Sequence, residues 1–314
     1  MKILVYGIGA LGTVYATLLK KKGHTVCAID TDDVVSTVAD GMLFVTGIWG
    51  EHRAILDEAV KSVEDLKQRD FDLIIVTVKA YNTAEVCRDL LPVLGDDTIV
   101  MLAQNGYGNY DEAVQYIPAE QLVLARVIFG AETLATGFSK VSVEADPVVI
   151  GSPDNRVPVE KLQHFAGVFT EAGIETEISD EIMKYLWGKI IYNCALNPLG
   201  AILEVPYGYL VKEDESRVIV DDIIREIFQV LAAMGQDTFW PDAQAYSEEF
   251  YNKLIIKTAD HHSSMLQDIN RGRKTEIEYL NGAIVRLGKQ YNIDTPANEM
   301  MRTMVHRKEQ LKAI

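Results

Sequence analysis

The chain has 314 residues, 48% of them hydrophobic and 24% charged, with a formal net charge of −16 at pH 7. That length is too great for one ordinary core and suits two domains of roughly 150 residues each. So negative a charge excludes nucleic-acid backbones, which need a basic face, and no apolar run reaches the roughly 18–20 residues that span a bilayer.

The first segment, Lys2–Tyr6, runs straight into a strand and leaves no room for a signal peptide. Three cysteines, Cys27, Cys87 and Cys194, are odd in number and far apart, so neither a disulfide framework nor a metal site is expected. The expected address is the reducing cytoplasm. After the first strand come a helix over 10–22 and a second strand over Thr25–Ile29, following the Gly23-His24 turn. The nearly continuous apolar run at 72–78 has the composition of a parallel strand buried on both faces. Runs at 98–103 and 122–129 read likewise, with helices over 83–91 and 110–116 between them. Residues 141–143 and 148–150 suggest a peripheral hairpin around Asp146-Pro147, and Val159–Glu171 a further helix. Past about Ser179 helical periodicity takes over, with breaks expected near Pro198, Pro206, Gly235, Pro241 and Pro296. Strands alternating with helices imply a doubly wound parallel sheet. The expectation is therefore an α/β chain, with a Rossmann-type domain over 1–179 and an all-helical domain over 180–314.

The first strand is followed at once by Gly7-Ile8-Gly9-Ala10-Leu11-Gly12 and then a helix. In this context Gly7 permits a tight turn, Gly9 lets backbone approach a pyrophosphate, and Gly12 allows close helix–strand packing. The helix start offers N–H groups and partial positive charge to the phosphates. Asp30 ends the second strand about twenty residues beyond the glycines, where a carboxylate accepts hydrogen bonds from the adenosine ribose hydroxyls. It would repel a 2′-phosphate, and no Arg or Lys follows in Thr31-Asp32-Asp33, so the local sequence favours NADH over NADPH. The plainer alternative is a solvated Asp at a strand end.

Lys189, Asn193 and Asn197 recur at steps of four within apolar surroundings. Such steps project from one helix face, drifting by roughly 40° each. Desolvation there would lower a lysine pKa towards the range useful for proton donation. The alternative is a solvated polar stripe. Spacing alone leaves Glu276 open as well, since an acidic residue in the first turn of a helix starting near Thr275 is stabilised by the helix dipole regardless of function.

These residues sit in longer matching stretches: GIGALG at the start, VKAYNT and AQNGYGN after two of the strands, KYLWGKIIYNCALNPLGAI, and SSMLQDINRGRKTEIEYLNG. With them the chain resembles the ketopantoate reductases (2-dehydropantoate 2-reductases) over nearly its whole length. The resemblance implies that Lys189 is the general acid that protonates the ketone oxygen, and that Glu276 binds the substrate hydroxyl and supports the catalytic arrangement. It implies that Asn193, Asn197 and Ser264 anchor the substrate. By the same likeness Asn105 hydrogen-bonds the lysine or the nicotinamide end of the cofactor, and Lys79 lines the cleft for cofactor and substrate. Family members often carry a basic residue after the second strand for a 2′-phosphate; here Asp30-Thr31 stands instead.

The expected reaction is NAD(P)H-dependent reduction of ketopantoate to pantoate. The alternatives are reduction of another small 2-oxo acid, or a nicotinamide-sensing regulator without turnover. The expected partner is a small anionic 2-oxo acid, for which local Lys and Asn must outweigh the repulsive global charge. The apolar helices of the second half leave both a single chain and a homodimer open.

Overall fold

The computed structural model describes residues 1–38 and 41–312. The chain divides into two compact units: Met1–Gln104 with Asn109–Ile182, and Asn105–Gly108 with Met183–Ile314.

The first unit runs β1 (Lys2–Tyr6), α1 (Ala10–Lys21), β2 (Thr25–Ile29), α2 (Asp32–Thr37), β3 (Met42–Gly47), β4 (His52–Ile55) and β5 (Glu58–Val60). It continues with β6 (Leu73–Val76), α3 (Thr83–Asp89), β7 (Ile99–Leu102), α4 (Asn109–Ala113), β8 (Leu122–Arg126), β9 (Phe129–Ala135) and β10 (Phe138–Glu144). It closes with β11 (Val148–Gly151), α5 (Val159–Glu171) and β12 (Thr176–Ile178). Eight strands form one sheet in the order β12-β11-β8-β7-β6-β1-β2-β5. All neighbours are parallel except β11, which runs antiparallel to β8. Every residue of β6 and β7 is buried, as a sheet covered on both faces requires. The chain passes from β1 to β2 on one side and later to β6 on the other, a reversal of strand order that in such sheets marks the ligand end.

A second sheet, in the order β4-β3-β10-β9, was only partly legible in the sequence. It packs on α1, whose other side meets β1 and β2, so this helix is buried continuously from Gly12 to Leu19. The hairpin expected around Asp146-Pro147 does not exist. Residues 141–143 belong to β10 in the small sheet, whereas 148–150 belong to β11 in the large one. The Arg126 guanidinium holds the crossing, donating to Asp146 Oδ2 at 2.7 Å and to the Pro147 carbonyl at 3.2 Å. The true hairpin is β9–β10, turning at Gly137 with φ +71°, where a Cβ would lie 2.6 Å from Val38 Cγ1. The run expected over 122–129 accordingly splits, ending β8 at Arg126 and starting β9 at Phe129.

The helices of the second unit are α6 (Ile182–Leu203, which begins at the last residue of the first unit), α7 (Tyr207–Leu210), α8 (Asp214–Met234) and α9 (Ala243–Glu249). They are followed by α10 (Ser264–Asn270), α11 (Asn281–Tyr291) and α12 (Pro296–Lys312). Trp187, Ile191 and Leu196 on α6 pack with Ile223 and Ile227 of α8 and with Tyr246 and Phe250 in a single apolar core. Gly235, in the left-handed region at φ 67°, ends α8 as expected. Pro198 does not break its helix. It lies inside α6, where it deprives the Cys194 carbonyl of its usual donor four residues on. That carbonyl accepts instead from Asn281 Nδ2 at 3.1 Å, which keeps the turn satisfied in a buried setting. Nor does a helix start near Thr275. Glu309 takes the Thr275 N–H at 2.7 Å and Tyr107 N donates to the Tyr279 carbonyl at 2.8 Å. With these groups engaged elsewhere, the segment forms a short 3₁₀ turn over Ile277–Tyr279, and α11 begins only at Asn281. Among the described residues no helix is long and apolar enough to cross a membrane.

Candidate functional site

In the first unit the glycine turn leaves β1 with Gly7 at φ +103°. A Cβ at Gly12 would stand 1.8 Å from the Gly7 carbonyl oxygen, so only glycine lets the first turn of α1 press on the end of β1. Gly9 is exposed and a Cβ there would meet nothing within 4 Å, so the backbone faces open space where a pyrophosphate needs to approach. Gly9 also occupies the capping position of α1 with no side chain to satisfy the first-turn N–H groups. Thr77 Oγ1 donates to the Gly7 carbonyl at 2.7 Å and fixes the turn from below, a role without a distinctive sequence signal. The Asp30 carboxylate accepts from the Ile8 N–H of the turn and from the Thr31 N–H at 2.7 Å. Its position beside the glycine turn is therefore set by backbone rather than by a flexible contact. These features fit a dinucleotide: a cradle that excludes a Cβ, an open glycine and a fixed carboxylate. Lys79, half-buried, caps the turn Ala80–Asn82 that follows β6.

In the second unit a small recess gathers Asn105, Asn197, Ser264 and Glu276, with Asp268, Met265 and Leu280 completing its lining. Four residues singled out in the sequence thus meet, although they come from four separate segments. Lys189 and Asn193 are not among the lining residues. They are half-buried on α6, two turns and one turn before Asn197, about 6 Å of helix rise per step.

Each recess residue has an identifiable support. Asn105 is set by its neighbours: Gly106, at φ +90°, lies so near Tyr279 that a Cβ would be 2.5 Å from its carbonyl oxygen. Tyr107 stacks on Trp187 with ring centroids 4.9 Å apart. Asn197 is 4% exposed and its Oδ1 accepts from the buried Tyr207 hydroxyl. Ser264 opens α10, which is capped by Ser263 Oγ accepting from the Leu266 N–H at 3.0 Å. Glu276 is 8% exposed and precedes the 3₁₀ turn, which is clamped from outside by charge. There Glu278 accepts from Arg302 Nε at 2.6 Å and pairs with His306 at 2.6 Å, and His306 Nδ1 meets Glu309 at 3.0 Å.

Asp268 and Tyr207 were missed in the sequence. Asp268, 7% exposed, follows Ser264 by four residues on α10, a spacing that puts both on one helix face. Tyr207 had no signal beyond an aromatic residue after Pro206.

Comparison with known proteins bears on both units. The family model described as "Ketopantoate reductase PanE/ApbA" matches residues 3–155, and its C-terminal counterpart matches residues 181–309. A 2-dehydropantoate 2-reductase of Aquifex aeolicus is 43% identical over 311 residues, covering 98% of this chain and 97% of that protein. One from Pyrococcus abyssi is 29% identical with 99% of each chain covered. Among solved structures, a ternary D-mandelate dehydrogenase with NADH and anilino(oxo)acetate superposes with TM-score 0.88 at 27% identity, covering both chains completely. A PanE/ApbA family ketopantoate reductase from Ralstonia eutropha JMP134 superposes with TM-score 0.86 at 28% identity, again over both whole chains. With two family models spanning nearly all its residues and a full-length relative well above 30% identity, the chain belongs to the ketopantoate reductase family.

Proposed function

We propose that this protein reduces 2-dehydropantoate to pantoate, with Lys189 as proton donor, Glu276 as partner of the substrate hydroxyl, Asn193, Asn197 and Ser264 as anchors, and Asn105 as partner of the lysine or of the cofactor's nicotinamide end. Gly7 to Gly12 and Asp30 would hold a nicotinamide dinucleotide, with Lys79 lining the cleft for cofactor and substrate. When bound, that cofactor supplies the hydride for the ketone carbon. The protein's own task is to fix the 2-oxo acid and deliver a proton to the ketone oxygen as negative charge develops there. A cationic lysine suits that task, since it both stabilises the alkoxide and neutralises it.

The observation that carries the reading is the recess itself, where amides, a hydroxyl and two carboxylates converge beside the apolar Met265 and Leu280. A substrate hydroxyl both donates and accepts, so it suits a recess that offers carboxylate acceptors and amide donors together. The gem-dimethyl carbon of 2-dehydropantoate suits the apolar pair. For the cofactor we favour NADH, because Asp30 sets a carboxylate where NADPH would bring a phosphate.

A second reading, reduction of a different 2-oxo acid with NADH, draws on the similarity to D-mandelate dehydrogenase. One experiment separates them: kcat/KM for 2-dehydropantoate, phenylglyoxylate and pyruvate, each with NADH and NADPH. The proposal expects 2-dehydropantoate with NADH to lead. Preference for phenylglyoxylate would establish the second reading, and tight cofactor binding without turnover would overturn both in favour of a sensor.

A further inference from the structure

Among the described residues Asn197 makes one side-chain hydrogen bond, from the Tyr207 hydroxyl to its Oδ1. Both residues are 4% exposed, so the phenol is cut off from water as an alternative acceptor. The Tyr207 ring is held edge-on by Tyr192 and His261, with centroids 6.0 and 5.6 Å away, and its backbone N–H donates to the His261 carbonyl at 3.0 Å. Burial pushes its ionisation well above the ordinary phenol value, so the hydroxyl keeps its proton and remains a donor. Among the described residues Asn197 Oδ1 is the single acceptor that hydroxyl has.

This decides which way the amide faces. With the amide reversed, Nδ2 would face the phenol and the phenolic proton would be buried without an acceptor, at a cost of about 1–3 kcal/mol. The favoured arrangement turns Oδ1 to Tyr207 and Nδ2 to the recess that Asn197 lines. Nδ2 has no hydrogen-bond partner among the described residues, so its two N–H groups are available to a ligand.

We propose that Tyr207 is a positioning residue which locks the Asn197 amide with its N–H donors towards the recess, so that this subsite takes an acceptor oxygen of the substrate, a hydroxyl or carboxylate oxygen. The inference rests on the reading of the recess as the substrate site. It adds a polarity to that site: without the phenol, Asn197 presents oxygen as readily as nitrogen, and the subsite loses its preference for an acceptor.

Tyr207→Phe keeps the ring and its contacts while removing the one donor. The KM for 2-dehydropantoate should rise about three- to tenfold, the size of one ordinary hydrogen bond, with kcat and cofactor KM within about twofold of wild type. The Kd of pantoate, measured by calorimetry on the cofactor-loaded protein, should rise in parallel. Asn197→Ala should raise KM further, and adding Tyr207→Phe to it should change nothing more. Asn197→Asp gives a second route that keeps an acceptor for the phenol but turns an oxygen to the recess; it should weaken substrate at least as much as Tyr207→Phe. If Asn197→Ala leaves KM and pantoate binding unchanged, the reading of the recess is wrong. If Asn197→Ala weakens substrate but Tyr207→Phe does not, or Asn197→Asp binds as well as wild type, the positioning role is overturned.

Discussion

At the scale of single residues, the groups that speak from sequence are those whose chemistry is costly unless used. A glycine triplet beside a strand, an aspartate at the next strand end and a lysine with two asparagines on an apolar helix were all visible as pattern. The residues that orient them were not, because orientation is a property of three-dimensional neighbours. Thr77 and Tyr207 are ordinary in sequence and acquire roles only through the Gly7 carbonyl and the Asn197 amide. Asp30 shows both levels at once: its position was legible, but its hydrogen bond from the Ile8 N–H was not. Because that bond ties the carboxylate to the glycine turn, Asp30→Ser should act on two quantities. Under the proposed cofactor reading, the ratio of kcat/KM with NADH to that with NADPH should fall by about tenfold or more, because a carboxylate at position 30 would oppose a 2′-phosphate and serine would not. Both cofactor KM values should rise as the turn loses its anchor.

Elements were legible where one physical demand dominates. The buried parallel strands β6 and β7 and the helix α5 read correctly because their composition answers to a single environment. The small sheet was obscure because its strands are half-exposed and pair across long separations, β3 with β10 above all. Proline misled at 198 because a distant asparagine supplies the hydrogen bond that the helix lacks. That compensation can be tested. Asn281→Ala should destabilise the protein by about 1–3 kcal/mol, since the buried Cys194 carbonyl loses its partner. Pro198→Ala restores a backbone N–H within the helix, so in the Asn281→Ala background it should recover part of that loss in chemical denaturation; further destabilisation would refute the compensation. The glycine turn makes a complementary prediction. Gly12→Ala should impair folding, because its Cβ would meet backbone at 1.8 Å. Gly9→Ala meets nothing and should leave Tm within a few degrees while raising the cofactor Kd at least tenfold, as titration by cofactor fluorescence would reveal.

For the molecule as a whole, composition gave a two-part chain and an acidic one, and the outer charge cluster of the second unit shows how such a chain responds to pH. Burial opposes charge on His306, but its hydrogen bonds to Glu278 and Glu309 outweigh this and raise its pKa above the usual 6.5. Burial likewise works against the charged form of Glu278, yet Arg302 and His306 bring its pKa below 4.5. For Glu309 burial is again outweighed, by Thr275 and His306, and the pKa falls. The histidine's contribution is complete below pH 6.5 and is lost as pH rises through its folded value. The carboxylates' contribution is present above pH 4.5 and is lost as pH falls through their folded values. Thermal stability from this cluster should therefore be greatest between those limits, and His306→Gln should flatten the decline on the alkaline side. None of this network was read from sequence, since it joins the 275–279 segment to α12 across some thirty residues. Reduction of a ketone requires that its oxygen receive a proton, the task proposed for Lys189. The most direct test of that role is kcat for 2-dehydropantoate reduction by Lys189→Ala, measured beside the wild type with circular dichroism and Tm as controls. The expected result is a fall of about 10²–10⁴-fold with the fold intact; a folded variant that turns over at close to the wild-type rate would contradict it.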